Sequence, residues 1–180
     1  LLLCCFELVR IEEVIIKILV AVDFGLYGRA QVNFLKKLGA GANADIRVVH
    51  VMEPLRWELQ TAYPAAMQLS DAIIKECREN AVKLVSEIEH ELRQDCAPSS
   101  VDVLIKEGSI ANELMIAADE FDADLVIVGS HGKSGIARFL LGSVSQAIAI
   151  NSTRSILIAR LNDNDGDQIA ASEKEIRSIL

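Results

Sequence analysis

Gly129-x2-Gly132-x9-Gly142-Ser143 is the group of residues in this chain best suited to chemistry, within the stretch VGSHGKSGIARFLLGS, residues 128–143. Glycine lets a backbone come close to a ligand and adopt positive φ. A glycine that opens a helix leaves free N–H groups and a dipole that favour an anion. The pattern therefore suits a phosphate cradle. Gly132-Lys133-Ser134 is how a P-loop ends, but that motif needs glycine at 127, where the chain has Ile127. The dinucleotide spacing G-x-G-x-x-G fails across Gly129–Gly135, and no G-x-S-x-G elbow is present. Ser143 and Ser145 could add hydroxyl donors to phosphate oxygens, while Lys133 and Arg138 either screen charge or are simply solvated.

Asp23 ends the first apolar run, where a carboxylate could meet a ribose, a phosphate-bound Mg²⁺ or the start of a helix as its cap. His131, between two glycines, reads as a loop residue contributing backbone contacts. His50 reads as a core histidine satisfied inside a strand, and His90 as an exposed helix residue. No Ser–His–Asp or Cys–His set can be assigned from residue order, so a binding role is favoured over catalysis. Cys4, Cys5, Cys77 and Cys96 show neither C-x-x-C nor zinc spacing. They read as idle or buried thiols in a reducing, cytoplasmic compartment.

The elements that must position these residues alternate regularly. IIKILVAVD (15–23), DIRVVHV (45–51), VDVLIKEG (101–108), LVIVG (125–129) and SILIAR (155–160) read as strands, the first as one buried on both faces, as in a parallel sheet. Between them lie helical patterns. The first carries Ala30, Phe34, Leu35 and Leu38 on one face, ended by Gly39 and Gly41. The second, over 69–96, carries Ile73, Ile74, Cys77, Ala81, Leu84, Val85, Ile88 and Leu92. The third, over 110–120, has Ser109 as cap and Leu114, Ile116, Ala117 and Ala118 as apolar positions. The fourth begins at 143. Residues 52–68, with two of the three prolines and the only Trp, read as an irregular excursion or lid. Five alternations predict a single α/β domain, a doubly wound parallel sheet with helices on both faces. Such sheets bind ligands beyond the carboxyl ends of their strands, where strand order reverses.

The glycine-serine pattern, with KILVAVD, the His-Val ending of the second strand, LVIVGSHG and GSVS, resembles the ATP-binding branch of the universal stress protein family over residues 14–160. The resemblance implies an adenine-nucleotide alpha-hydrolase-like sheet of strand order 3-2-1-4-5. It implies ATP, with Mg²⁺ held through the phosphates, in a crevice between strands 1 and 4. The implied binding positions are Ala21, Asp23, Val51, Val128, Gly129, Ser130, His131, Gly132, Lys133, Gly142, Ser143, Val144 and Ser145. Ala21 is smaller than the residue some members carry there, and Phe24-Gly25 lacks the hydroxyl that often follows the aspartate. The implied role is a dimeric, nucleotide-dependent stress regulator. Alternatives are a slow ATPase or nucleotidyl-transfer enzyme, whose turnover Asp23→Ala would abolish, and an ATP-free dimeric interaction protein.

The net charge of −8 argues against nucleic acid or an anionic membrane as partner. A homodimer through Ser155–Arg160 is expected, with Ile156 and Ile158 buried, since an exposed apolar edge strand invites pairing. The family commonly has a proline just before this strand; here Thr153-Arg154-Ser155 leaves its start open. An additional protein partner is compatible with this reading. Residues 1–13 read as an N-terminal extension, its apolar run too short for a membrane span. Residues 161–180 read as an acidic tail with a capping box, Ser172-x-x-Glu175, for a short helix.

Overall fold

A strand covered on both faces must find apolar helices on each side of its sheet. The computed structural model, which describes residues 15–24, 30–39, 43–54, 64–130 and 141–160, meets that demand. Its elements run β1 (Ile16–Ala21), α1 (Ala30–Leu38), β2 (Ala44–Met52), α2 (Pro64–Asp95), β3 (Ser100–Glu107), α3 (Ile110–Phe121), β4 (Leu125–Gly129), α4 (Ser143–Asn151) and β5 (Ser155–Ala159). The strands form one five-stranded sheet in the order β3-β2-β1-β4-β5. Every neighbouring pair is parallel. The expected doubly wound α/β fold and strand order are therefore present.

Successive strand residues point to opposite faces, so the core divides into two layers. On one face Ile18, Val20, Ile46 and Val48 pack with Val32 and Leu35 of α1 and Val85, Ile88 and Leu92 of α2. On the other, Leu19, Ala21, Val49, Val51, Val126 and Val128 pack with Leu114, Ala117 and Ala118 of α3 and Ile148 of α4. Lys36 of α1 reaches Glu91 and Asp95 of α2, the latter at 2.6 Å, fastening the two helices of the first layer.

Several local expectations need correction. The long helix starts at Pro64, not 69, so residues 64–68 belong to it rather than to an irregular excursion; 55–63 lie outside the described residues. Ile73 and Cys77 are exposed, and over 71–95 the first buried residue of α2 is Ala81. Leu38 and Ile116 are exposed as well. Ser109 occupies the N-cap position of α3, but its hydroxyl makes no capping bond. Gly39 closes α1 at φ 61°, as expected, and Asp122 closes α3 at φ 54°. Gly41 lies outside the described residues. Burial pushes the half-buried Cys96 thiol up, which keeps it protonated and unreactive.

Candidate functional site

β1 ends at Ala21, yet the Val22 N–H still donates to Val49 at 2.9 Å, so the chain leaves the sheet in a controlled direction. Asp23 follows, partly exposed, and its carboxylate accepts the Phe24 N–H at 2.7 Å. The Phe24 ring meets His50 edge-on, with centroids 4.7 Å apart. His50 is buried, and its Nδ1 lies 2.9 Å from the Val22 carbonyl. A carbonyl only accepts, so Nδ1 carries the proton and His50 pins the exit of β1. His50 is thus the satisfied core histidine that its place in the strand suggested, and His90 is exposed.

β4 leaves the sheet beside β1. The register sets Val20 opposite Ile127, so Asp23 and Ser130 each follow three residues later on adjacent strands. The positive-φ glycines among the described residues are Gly39 and Gly108. Gly129 is therefore not left-handed, contrary to the expectation that it would use that freedom. Ser130 donates its N–H to Ala159 at 2.8 Å, and its carbonyl accepts the Gly142 N–H, also at 2.8 Å. The second of these bonds holds the start of α4 against the end of β4.

Gly142 is the extended N-cap residue of α4, and the first helical bond runs from Gln146 N–H to its carbonyl at 2.9 Å. The N–H groups of Ser143, Val144 and Ser145 consequently have no intrahelical acceptor. Ser143 is exposed and Val144 half-buried. Ser145 is buried, and its hydroxyl donates to the Gly129 carbonyl. That bond lets the Ser145 side chain position α4 against the end of β4. His131, Gly132 and Lys133, with Arg138, lie outside the described residues.

Ala21, Val51 and Val128 share the apolar layer beneath α3 and α4. Leu19 and Val49 are completely buried, whereas Ala21 and Val51, at the carboxyl ends, keep 8% and 7% exposure. The layer thus opens slightly where the strands end. The sequence reading passed over Gln31, which is buried in the first turn of α1 with its Oε1 unpartnered. Nothing in the sequence marks it, because a polar residue near a helix start ordinarily faces water.

A shallow groove of about 480 Å³ lies elsewhere, lined by Met52, Arg78, Val82, Ile105, Lys106 and Glu107. Its charges are already matched, Arg78 to Glu107 at 2.5 Å and Lys106 to Glu120 at 3.1 Å. It therefore offers no uncompensated charge, and the β1–β4 crevice, with its free helix N–H groups, is the stronger candidate. Among the described residues no group of three His, Cys, Asp or Glu side chains could hold a metal ion, and no helix is long and apolar enough to cross a membrane.

The sequence model of the universal stress protein family matches residues 16–160. The chain belongs to that family. Universal stress protein A homolog 2 of Coxiella burnetii is 32% identical over 135 residues, covering 74% of this chain and 86% of that protein. Two solved family members share the fold at lower identity. One is a universal stress protein in complex with cAMP, 20% identical with a TM-score of 0.55, covering 82% of this chain and 98% of that one. The other, from Arabidopsis thaliana with AMP bound, is 14% identical with a TM-score of 0.56, covering 83% and 94%.

Proposed function

We propose that this family member binds ATP across the carboxyl ends of β1 and β4 and acts as a dimeric, nucleotide-dependent stress regulator in the cytoplasm. The observation that carries the reading is the Ser130–Gly142 bond, which sets the free N–H groups of α4 beside the crevice where strand order reverses. The AMP and cAMP complexes of the two relatives support an adenine nucleotide as the ligand class.

The residues present fit such a ligand. Ala21 and Val51 offer an apolar floor with residual exposure for the base. Asp23 offers a carboxylate to the sugar or to Mg²⁺ carried on the phosphates. The backbone of Val128, Gly129 and Ser130, with Gly142, the Ser143 hydroxyl and the Ser143 and Val144 N–H groups, would line the phosphate side. His131, Gly132 and Lys133 complete the proposed cradle. The proposed domain runs over 14–160, with 1–13 and 161–180 outside it.

The test is a calorimetric titration of Mg-ATP into nucleotide-stripped protein. Binding at micromolar or tighter affinity and about one ATP per chain is expected, on the scale where ~8 kcal/mol corresponds to 1 μM. Absence of binding would reassign the chain as an ATP-free interaction protein, with Ala21 and Phe24 the first residues to revert. Saturable hydrolysis lost in Asp23→Ala would make it a slow ATPase.

A further inference from the structure

Ser130 ends β4 between two neighbouring strands that leave the sheet with opposite charge. On the β1 side the chain continues through Asp23, and on the β5 side through Arg160. The Ser130 N–H donates to the Ala159 carbonyl at 2.8 Å, and the Ser130 carbonyl accepts the Gly142 N–H, also at 2.8 Å. Arg160 therefore begins one peptide bond from the link that holds Ser130, the residue that anchors the start of α4. Neighbouring strands lie about 4.8 Å apart, so the Asp23 and Arg160 strands stand about 10 Å apart with β4 between them. Ile156 and Ile158 belong to the layer of α3 and α4, and Ala159 to the opposite layer. Continuing that alternation by one residue sets Arg160 on the α4 side of the sheet, where it is exposed. The other described arginines are all matched: Arg47 to Asp102, Arg78 to Glu107, Arg93 to Glu89 and Arg154 to Asp122. Arg160 has no carboxylate partner among the described residues.

We infer that Arg160 reads the length of the phosphate chain, its guanidinium gripping the phosphates beyond the first and so favouring ATP over AMP. This rests on the nucleotide-binding reading above. The Ser143 and Val144 N–H groups are neutral dipoles, suited to a single phosphate. Each further phosphate adds negative charge to a chain whose net charge is already −8, with Asp23 on the β1 side of the crevice. A guanidinium offers five donors in a fork that matches phosphate oxygens, and it stays charged. With the base over Ala21 and Val51 and the first phosphate at the start of α4, the ligand runs from β2 across β1 to β4. A longer phosphate chain on that line continues toward β5, where Arg160 stands.

The experiment titrates AMP, Mg-ADP and Mg-ATP calorimetrically into nucleotide-stripped wild type, Arg160→Gln and Arg160→Lys, with a thermal melt and sedimentation on each protein. Wild type is expected to bind ATP roughly tenfold more tightly than AMP, a preference that shrinks as salt is raised. Arg160→Gln should bind ATP roughly tenfold more weakly and AMP nearly as before, so the preference disappears. Arg160→Lys keeps the charge without the fork and should fall between the two; it carries the comparison if Arg160→Gln does not fold. A folded Arg160→Gln protein that keeps the full ATP preference overturns the inference. Equal losses for AMP and ATP overturn it too, and with altered sedimentation they assign Arg160 to the β5 seam instead. Wild type that binds all three nucleotides equally leaves the site in place but gives Arg160 nothing to read. If wild type binds no nucleotide at all, the proposed function falls and takes the inference with it.

Discussion

Two serines two positions apart on α4 stand in opposite environments. Ser143 is exposed at the helix start, whereas Ser145 is buried and donates to the Gly129 carbonyl. Removing the Ser145 hydroxyl leaves a carbonyl at the end of β4 without that donor. Ser145→Ala should therefore cost about 1–2 kcal/mol of stability. Ser143→Ala should stay within about 0.5 kcal/mol while weakening Mg-ATP binding. Chemical denaturation and calorimetry on both variants would show the split; equal stabilities would mean that Ser145 does not position the helix. Arg154 gives a second residue-scale expectation. Its guanidinium bonds Asp122 at 2.7 Å and Asp119 at 3.1 Å, and it holds the Asp122 carboxyl below the ordinary value of 3.8. A carboxylate with a lowered folded pKa stabilises fully above its unfolded value and loses that contribution as pH falls through the folded one. Stability measured below about pH 4 should accordingly fall more steeply in wild type than in Arg154→Met. Parallel acid profiles would mean that this exposed pair contributes nothing.

At the scale of elements, the five strands and four helices were readable because their patterns obey two periods. Strands carry long β-branched runs, and Ala81, Val85, Ile88 and Leu92 recur at three and four residues. The same pattern misled at Ile73 and Cys77, since periodicity states that a face is apolar and not how far the sheet extends to meet it. Over 71–80 every residue but Ile74 is exposed, so this stretch of α2 is held mainly by its own helical bonds and the Arg78–Glu107 pair. Ile88→Ala should cost about 2–5 kcal/mol, whereas Ile73→Ala should cost less than about 0.5 kcal/mol. Amide exchange should be correspondingly slower over 81–92 than over 71–80. Uniform protection along α2 would contradict the burial pattern. The site was legible where it depended on backbone, at Gly142 and the strand ends. It was illegible where one hydroxyl turned to a backbone carbonyl, at Ser145, and where a polar side chain turned inward, at Gln31.

At the scale of the whole molecule, the sheet has two edges of different chemistry. The β3 edge carries Asp102, Lys106 and Glu107, paired respectively with Arg47, Glu120 and Arg78. Charged and already satisfied, it discourages addition of another strand. The β5 edge is Ser155-Ile156-Leu157-Ile158-Ala159, and α4, which packs on it, exposes Ile150 at 72%. Ile156 and Ile158 are only half-buried within their own layer, so a partner strand could cover more of them. The proposed homodimer through Ser155–Arg160 follows from this asymmetry: one edge is built to stay alone and the other is not. Ile158→Asp would place a carboxylate in the middle of the proposed seam, at the residue opposite Val128 in the register. Sedimentation at micromolar concentration should then show a dimer for wild type and a monomer for the variant, with a thermal melt to verify that the variant is folded. A folded Ile158→Asp protein that remained dimeric would move the interface away from β5. A monomeric wild type would leave β5 a free edge and remove dimerisation from the proposed mode of regulation.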